Sequence, residues 1–196
     1  MKKKIKKIIG TVYYMAVNEI KFLGRFLFRL LELFVQIFPE DAKGCKIRGL
    51  IYRPFLKKCG KNFQVGINAK LEHLYNIEIG DDVYIGHGCW ISGIRGGITF
   101  EKQVMLGPMV KMVSSNHTIS NNSFRFGPGE GAHITIGEGT WVAANAVITA
   151  GVTIGKCCLV AAGAVVTKNF NSYEIIGGIP SKKIGDCREK INFELD

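Results

Sequence analysis

The sequence predicts an all-β solenoid with an N-terminal helical extension, and three observations support this fold class. Past residue 58 the chain repeats with a period of six residues. Glycine is too abundant for a helical bundle, at 24 residues, while the 5 prolines are too few for a low-complexity chain. Basic and amphipathic character is concentrated in the first quarter, which separates the helical part from the repeat.

Most of the net charge of +10 belongs to the N-terminal quarter. Residues 1–53 contain 12 Lys and Arg against 4 Asp and Glu, whereas residues 54–196 contain 14 against 12. A nucleic-acid-binding protein would carry a basic stripe across its body, so this distribution argues against nucleic acid as a partner. The six cysteines form no CxxC pair and no zinc-finger spacing, and we find no cleavable signal peptide. We therefore expect reduced thiols in the cytoplasm.

Residues 1–40 are predicted to form a basic amphipathic helical extension. Residues 1–9 contain five lysines, and a largely apolar segment of 28 residues, 11–38, ends before Pro39. Its polar residues recur at steps of three or four and form one narrow stripe on a helix. The stripe consists of Asn18, Lys21, Arg25, Arg29, Glu32 and Gln36.

Three placements of this helix remain open. Peripheral contact of residues 1–38 with the inner face of the cytoplasmic membrane fits the lysines and the wide apolar face. Packing on its own protein or on a neighbouring subunit would cover the same face. A true membrane span would place Arg25 and Arg29 in mid-bilayer, at a cost of roughly 3 kcal/mol each.

Residues 59–172 are predicted to form the solenoid, between a connecting segment at 41–58 and a C-terminal tail at 173–196. Six consecutive hexads begin with Ile136, Val142, Ile148, Ile154, Val160 and Val166. A period of six fits neither a helix nor the period-two alternation of an antiparallel sandwich, but it fits a triangular coil with three hexads per turn. Each hexad head would point inward and stack on its equivalent three hexads later. The pattern breaks over 118–135, which predicts a loop extruded from one turn.

The C-terminal run TWVAANAVITAGVTIGKCCLVAAGAVVTKNFNSYEIIGGIPSKKIG resembles the hexapeptide-repeat acyltransferases. It has the Trp before a hexad, the Val-Thr-Lys and the Gly-x-Pro-x-Lys of the maltose and galactoside acetyltransferase branch. The resemblance covers roughly 59–186 and implies a left-handed parallel β-helix, an exception to right-handed crossover. The segment GCKIRGLIYRPFLKKCG, within 41–58 and its flank, looks more like capsule and O-antigen acetyltransferases.

The resemblance implies His117 as the catalytic residue, because His117 lies where the repeat breaks into the loop. A neutral imidazole titrates near working pH and can act as a general base. Trp141 would line the acceptor pocket, with corner packing as its alternative role, and Ser92 is a weaker candidate for binding the acceptor. A related β-helix carbonic anhydrase binds zinc through histidines five residues apart, but Asn122 stands at that place here, so we expect no metal.

The implied co-substrate is acetyl-CoA. Ala144 and Ala162 match the small residues whose backbone pairs with the pantetheine arm. Its phosphates would meet a basic end formed by Thr167, Lys168, Lys182 and Lys183. One departure is Ala143-Ala144, where the family often has Gly-Ser or Gly-Ala, so a serine contact to the co-substrate is lost.

The function implied is O-acetylation of a sugar hydroxyl in a surface polysaccharide or its lipid-linked precursor. Two alternatives remain open: acetyl transfer to a soluble small molecule (serine, a free sugar, an aminosugar or an antibiotic), or a non-catalytic β-helix scaffold. The resemblance also implies a homotrimer with sites between subunits, in which the 118–135 loop caps a neighbour.

Overall fold

The structure is a computed structural model that describes residues 23–190. The lysine-rich start, together with the Asn18 and Lys21 end of the predicted polar stripe, lies outside the described residues, as do residues 191–196. The chain divides between Phe38 and Pro39 into two compact units. Each unit is therefore described by itself.

In the first unit the structure describes a helix, α1, over residues 23–35. Large apolar side chains are exposed along one side of it; we call this set the apolar arc, and it consists of Leu23, Phe26, Leu27, Leu30, Leu31, Leu33, Phe34 and Ile37. The buried positions, Glu32 and Val35, lie on the opposite side. Among the described residues, no helix is both long and apolar enough to cross a membrane.

The second unit begins with helix α2 (Ala42–Tyr52), followed by a 3-10 turn (Arg53–Phe55). The side chain of Asp41 caps α2 by accepting a hydrogen bond from the backbone N–H of Gly44. Arg48 is fully buried and donates to the carbonyl oxygen of Val65 (2.8 Å) and to Glu40 (2.8 Å). Glu40 in turn accepts from the N–H of Ile67 at 2.7 Å, so α2 is fixed to the first turn of the solenoid.

The rest of the unit is a triangular parallel β-helix, which confirms the predicted fold class. The first sheet contains β1 (Lys58–Cys59), β4 (Ile77–Ile79), β7 (Ile98–Phe100), β12 (Ile134–Ile136) and β15 (Thr153–Ile154). The second contains β2 (Gln64–Val65), β5 (Tyr84–Ile85), β8 (Met105–Leu106), β13 (Trp141–Val142), β16 (Leu159–Val160), β18 (Glu174–Gly178) and β19 (Ser181–Asp186). The third contains β3 (Lys70–Glu72), β6 (Trp90–Ser92), β9 (Lys111–Val113), β14 (Val147–Ile148) and β17 (Val165–Val166).

The hexad heads stack in the core as the sequence predicts. Ile136 pairs with Ile154, Val142 with Val160 and Ile148 with Val166. All six side chains are buried. Burial of this aliphatic column, at about 25 cal/mol per Å² of apolar surface, is the main stabilising term of the stack.

The irregular residues of the repeat collect at one corner. The corner between a third-sheet strand and the next first-sheet strand holds a 3-10 turn (Leu74–Asn76) in one turn and residues 93–97 in the next. In the turn after that it holds a hairpin of β10 (Ser115–His117) and β11 (Gly129–Gly131). We call this edge the insertion corner. At the far end of the stack, β18 and β19 form an antiparallel hairpin, followed by a 3-10 turn (Cys187–Lys190).

Candidate active site

His117 is the last residue of β10 and pairs with Gly129 across the hairpin. Its side chain is exposed. Within residues 23–190 its ring makes no hydrogen bond, so both ring nitrogens are open to a ligand. The next residue, Thr118, closes the strand pair by donating its hydroxyl to the carbonyl oxygen of Pro128 at 2.7 Å. The hairpin therefore presents an imidazole to solvent at the insertion corner.

Ser114 fixes the base of this hairpin. Its side chain is fully buried, and its hydroxyl donates to the carbonyl oxygen of Ile94 at 2.9 Å. The hydroxyl oxygen of Ser114 also accepts from the backbone N–H of Gly97 at 3.0 Å, and the carbonyl oxygen of Ser114 accepts from the N–H of Ala132. Sequence reasoning missed this role, although the serine lies three residues before His117.

A groove of about 260 Å³ runs beside the hairpin on the outer face of the third sheet. Its walls include Trp90, Lys111, Val113, Ser115, Asn116 and Thr149. Sequence reasoning also missed this groove. The groove could have been found from the residue that precedes each hexad head. Trp90 and Lys111 each precede an inward-pointing residue, so their side chains face outward. They pair in neighbouring strands and therefore lie side by side on the outer face.

Glu72 holds the indole of Trp90 at this groove. Trp90 Nε1 donates to one carboxylate oxygen at 3.2 Å, and Lys70 Nζ lies 2.9 Å from the other. Burial acts to raise the pKa of Glu72, but these two hydrogen bonds and the positive charge of Lys70 together leave the pKa below its ordinary value. Glu72 is therefore a charged acceptor that orients the tryptophan ring.

The two predicted acceptor-binding residues have different surroundings. Trp141 lies in the second sheet between Met105 and Leu159, and its side chain is 42% exposed. In a single chain it is therefore on a different face from His117. Ser92 is only 3% exposed, and its hydroxyl lies 3.3 Å from His73 Nδ1. This burial argues against a direct contact between Ser92 and an acceptor, because its hydroxyl faces the protein.

Ala144 and Ala162 occupy equivalent turns after second-sheet strands, one turn of the solenoid apart. The carbonyl oxygen of Ala144 accepts from the N–H of Gly163 at 2.9 Å. In the described part of the chain, the backbone N–H groups of Ala144 and Ala162 donate to no partner, and nothing lies within 4 Å of a Cβ built on Gly163. This corner therefore offers two unused backbone donors, with open space beside Gly163, which fit an extended amide-containing ligand.

The four predicted phosphate-binding residues are divided between two elements. Thr167 and Lys168 follow β17 on the insertion corner and are exposed, with Lys168 Nζ 5.7 Å from the Phe170 ring. Lys182 and Lys183 lie in β19. Lys183 is near two carboxylates, Glu174 at 3.6 Å and Asp186 at 3.7 Å, whereas Lys182 has no ion pair with the described residues.

The same carboxylate, Asp186, is bound mainly by Arg188. Hydrogen bonds from the guanidinium and the backbone N–H of Arg188 hold the pKa of Asp186 well below its usual range. Lys183 is therefore partly neutralised locally, whereas Lys168 and Lys182 have no carboxylate partner among the described residues. No group of three potential metal ligands occurs between residues 23 and 190.

The comparisons with known proteins agree with this architecture. The family described as bacterial transferase hexapeptide (six repeats) matches residues 133–168. A candidate acetyltransferase of Dictyostelium discoideum is 39% identical over 131 residues, which cover 67% of this chain and 68% of that protein.

Two solved structures share the fold. A maltose O-acetyltransferase of Clostridium difficile 630 superposes with a TM-score of 0.66 at 26% identity, covering 83% of this chain and 85% of that one. A hexapeptide-repeat acetyltransferase of Vibrio cholerae, solved with acetyl coenzyme A, superposes with a TM-score of 0.69 at 23% identity, covering 82% of this chain and 85% of that one. Repeat, fold and sequence identity together place this chain in the family of hexapeptide-repeat acetyltransferases.

Proposed function

We propose that this protein transfers the acetyl group of acetyl-CoA to a sugar hydroxyl, in a surface polysaccharide or its lipid-linked precursor, with His117 as the general base. The observation that carries the proposal is the exposed imidazole of His117, which has no intramolecular partner in residues 23–190 and stands beside the groove of the third sheet. The similarity to a maltose O-acetyltransferase supports a sugar acceptor.

In the proposed acetyl transfer, the catalytic task of the protein's own side chains is to move a proton. His117 accepts the proton of the acceptor hydroxyl as the hydroxyl oxygen bonds to the thioester carbonyl carbon. When the carbon–sulfur bond breaks, His117 returns the proton to the departing thiolate of CoA. The imidazole thus ends each cycle neutral, as it began, and no metal is needed for the balance.

The free backbone donors at Ala144 and Ala162 would bind the amides of the pantetheine arm. Lys168 and Lys182 would meet the phosphates as point charges, with Thr167 as a hydroxyl donor, and Lys183 would contribute less because it already faces Glu174 and Asp186. These residues lie on two corners and in strand β19 of one chain, which suits a co-substrate held between copies.

A homotrimer would complete the site. His117 and Trp141 are on different faces of one chain, so Trp141 can line the acceptor pocket only of a neighbouring copy. Trp141 and Met105 form an exposed apolar row on the second sheet, at 42% and 44% exposure. The outer face of the first sheet is polar instead, with Glu78, Thr99 and Thr135 in register. The apolar row favours the second sheet as a contact between copies.

The test is an acceptor panel assayed for acetyl-CoA-dependent thiol release, with products identified by mass spectrometry. The panel contains maltose, nucleotide sugars and lipid-linked glycans, and serine, an aminosugar and an aminoglycoside antibiotic stand beside them. We expect turnover with a sugar hydroxyl and a mass increase of one acetyl group. Turnover confined to serine or to an amine would replace the sugar assignment, and CoA binding without any turnover would favour a scaffold.

A further inference from the structure

Helix α1 carries its apolar residues on its exposed side. At 3.6 residues per turn, the apolar arc covers about 160° of the helix circumference. The polar residues Arg25, Glu32 and Gln36 lie on the side that also holds buried Val35. A helix that serves a globular core would instead bury its apolar stripe.

The polar side of α1 is internally bonded. Arg29 forms an ion pair with Glu32, and the amide of Gln36 donates to the carbonyl oxygen of Glu32 at 3.1 Å. The side chain of Glu32 is only 7% exposed. These bonds satisfy polar groups within the helix itself, and the exposed apolar arc remains the surface that must be covered.

We propose that the apolar arc of α1 docks on an anionic lipid bilayer. Two features favour this occupant. The arc is much wider than the two-in-seven seam by which helices pair, but its width suits a planar interface. The charge of this part of the chain is also complementary to anionic lipid: exposed Arg29 lies next to the arc, and residues 1–53 carry 12 basic against 4 acidic side chains.

The inference does not rest on the proposed acetyl transfer, because lipid binding is measured without substrate. The full-length protein is sedimented with vesicles made of equal parts phosphatidylcholine and phosphatidylglycerol, and with vesicles of phosphatidylcholine alone. We expect strong binding to the anionic vesicles and weak binding to the neutral ones. Raising the salt from about 0.1 M to about 1 M should release much of the protein, since the Debye length falls from about 10 Å to about 3 Å.

A double variant tests the arc itself. Leu30→Ser with Phe34→Ser removes two exposed apolar side chains from its centre, and we expect binding to anionic vesicles to fall by about tenfold or more. The matched control is Leu50→Ser with Ile119→Ser, which removes two exposed apolar side chains elsewhere and should bind like the wild type. Size-exclusion chromatography with light scattering checks that both variants keep the wild-type assembly.

A second measurement needs no variant. Addition of anionic vesicles should slow hydrogen exchange in residues 23–37 and leave the solenoid strands unchanged. Absence of wild-type binding to anionic vesicles, or wild-type binding by the arc variant, would overturn the proposal. A change in the oligomeric state of the arc variant without a loss of vesicle binding would also overturn the proposal, because the arc would then be a contact between copies.

Discussion

The guanidinium group of Arg95 packs against Gly129, the residue that pairs with His117. A Cβ atom built on Gly129 would lie 2.5 Å from Arg95 Cζ. Arg95 belongs to the preceding insertion at the same corner and has a positive φ of 61°. The second glycine of this strand, Gly131, meets backbone instead of a side chain: a Cβ atom built on it would lie 2.5 Å from the nitrogen of Gly96. Strand β11, which pairs with the strand of His117, is therefore closely packed against Arg95 and Gly96 of the preceding solenoid turn.

This packing predicts different outcomes for two alanine substitutions. Gly131→Ala should lower kcat by about 10-fold to 100-fold, because the backbone of Gly96 cannot yield and the hairpin must shift. Gly129→Ala should lower kcat by less than about threefold, because the added methyl group meets only the end of the flexible Arg95 side chain. Steady-state kinetics and thermal unfolding of both variants give the answer. Equal kcat values for the two variants would show that the packing of β11 on the preceding turn does not position His117.

Ser114→Ala should also lower kcat, by about tenfold or more, while the Kd for CoA stays within about twofold. The substitution leaves the buried N–H of Gly97 without its acceptor, at about 1–3 kcal/mol of stability. Isothermal titration with CoA, kinetics and thermal unfolding separate the three effects. Loss of stability with unchanged kcat would make Ser114 purely structural.

Lys168 and Lys182 are proposed to bind the phosphates of the co-substrate. The double variant Lys168→Ala with Lys182→Ala should therefore weaken the binding of acetyl-CoA more than the binding of acetyl-pantetheine, which lacks the nucleotide phosphates. The difference should shrink with added salt, because these lysines are exposed and screened. Lys183→Ala is the matched comparison and should have a smaller effect, since Lys183 faces Glu174 and Asp186. Equal losses for both donors would remove Lys168 and Lys182 from phosphate binding.

Thiol labelling should distinguish the cysteines. Burial raises the pKa of Cys89 to about 11, so at neutral pH the thiol stays protonated as well as inaccessible. Cys157 is exposed. In the native protein, iodoacetamide should therefore alkylate Cys157 well before Cys89, as peptide mass mapping over time will show. Early labelling of Cys89 would mean that the second and third sheets open on the labelling timescale.

The repeat could be read from the sequence because its register is local. The pairs Ile136–Ile154, Val142–Val160 and Ile148–Val166 all have the same spacing along the chain, so the pairing of Ile136 with Ile154 follows from the period alone. The contacts of Ser114 and Arg95 could not be predicted in this way. They depend on which insertions meet at one corner, and insertions of different length have no common period. For the same reason the contact between Ser92 and His73 was not foreseen.

The ion pairs of Lys183 show a second limit. The motif Gly-x-Pro-x-Lys indicates a lysine after a turn, but its neighbours Glu174 and Asp186 follow from the register of the β18–β19 hairpin. That hairpin has a register shift between Ile175 and Ile176. A shift of one residue exchanges the faces of the side chains, so the sequence pattern alone cannot specify which lysine is free.

The central claim is that His117 transfers the proton, and one measurement tests it most directly: kcat of His117→Ala with the best acceptor of the panel, beside the Kd for CoA. We predict a fall in kcat of about 10²–10⁴ with CoA affinity nearly unchanged, because the imidazole moves a proton and does not anchor the co-substrate. His87→Ala, an exposed histidine away from the hairpin, is the control and should keep wild-type turnover. Retention of more than half of the wild-type kcat by His117→Ala would contradict the account.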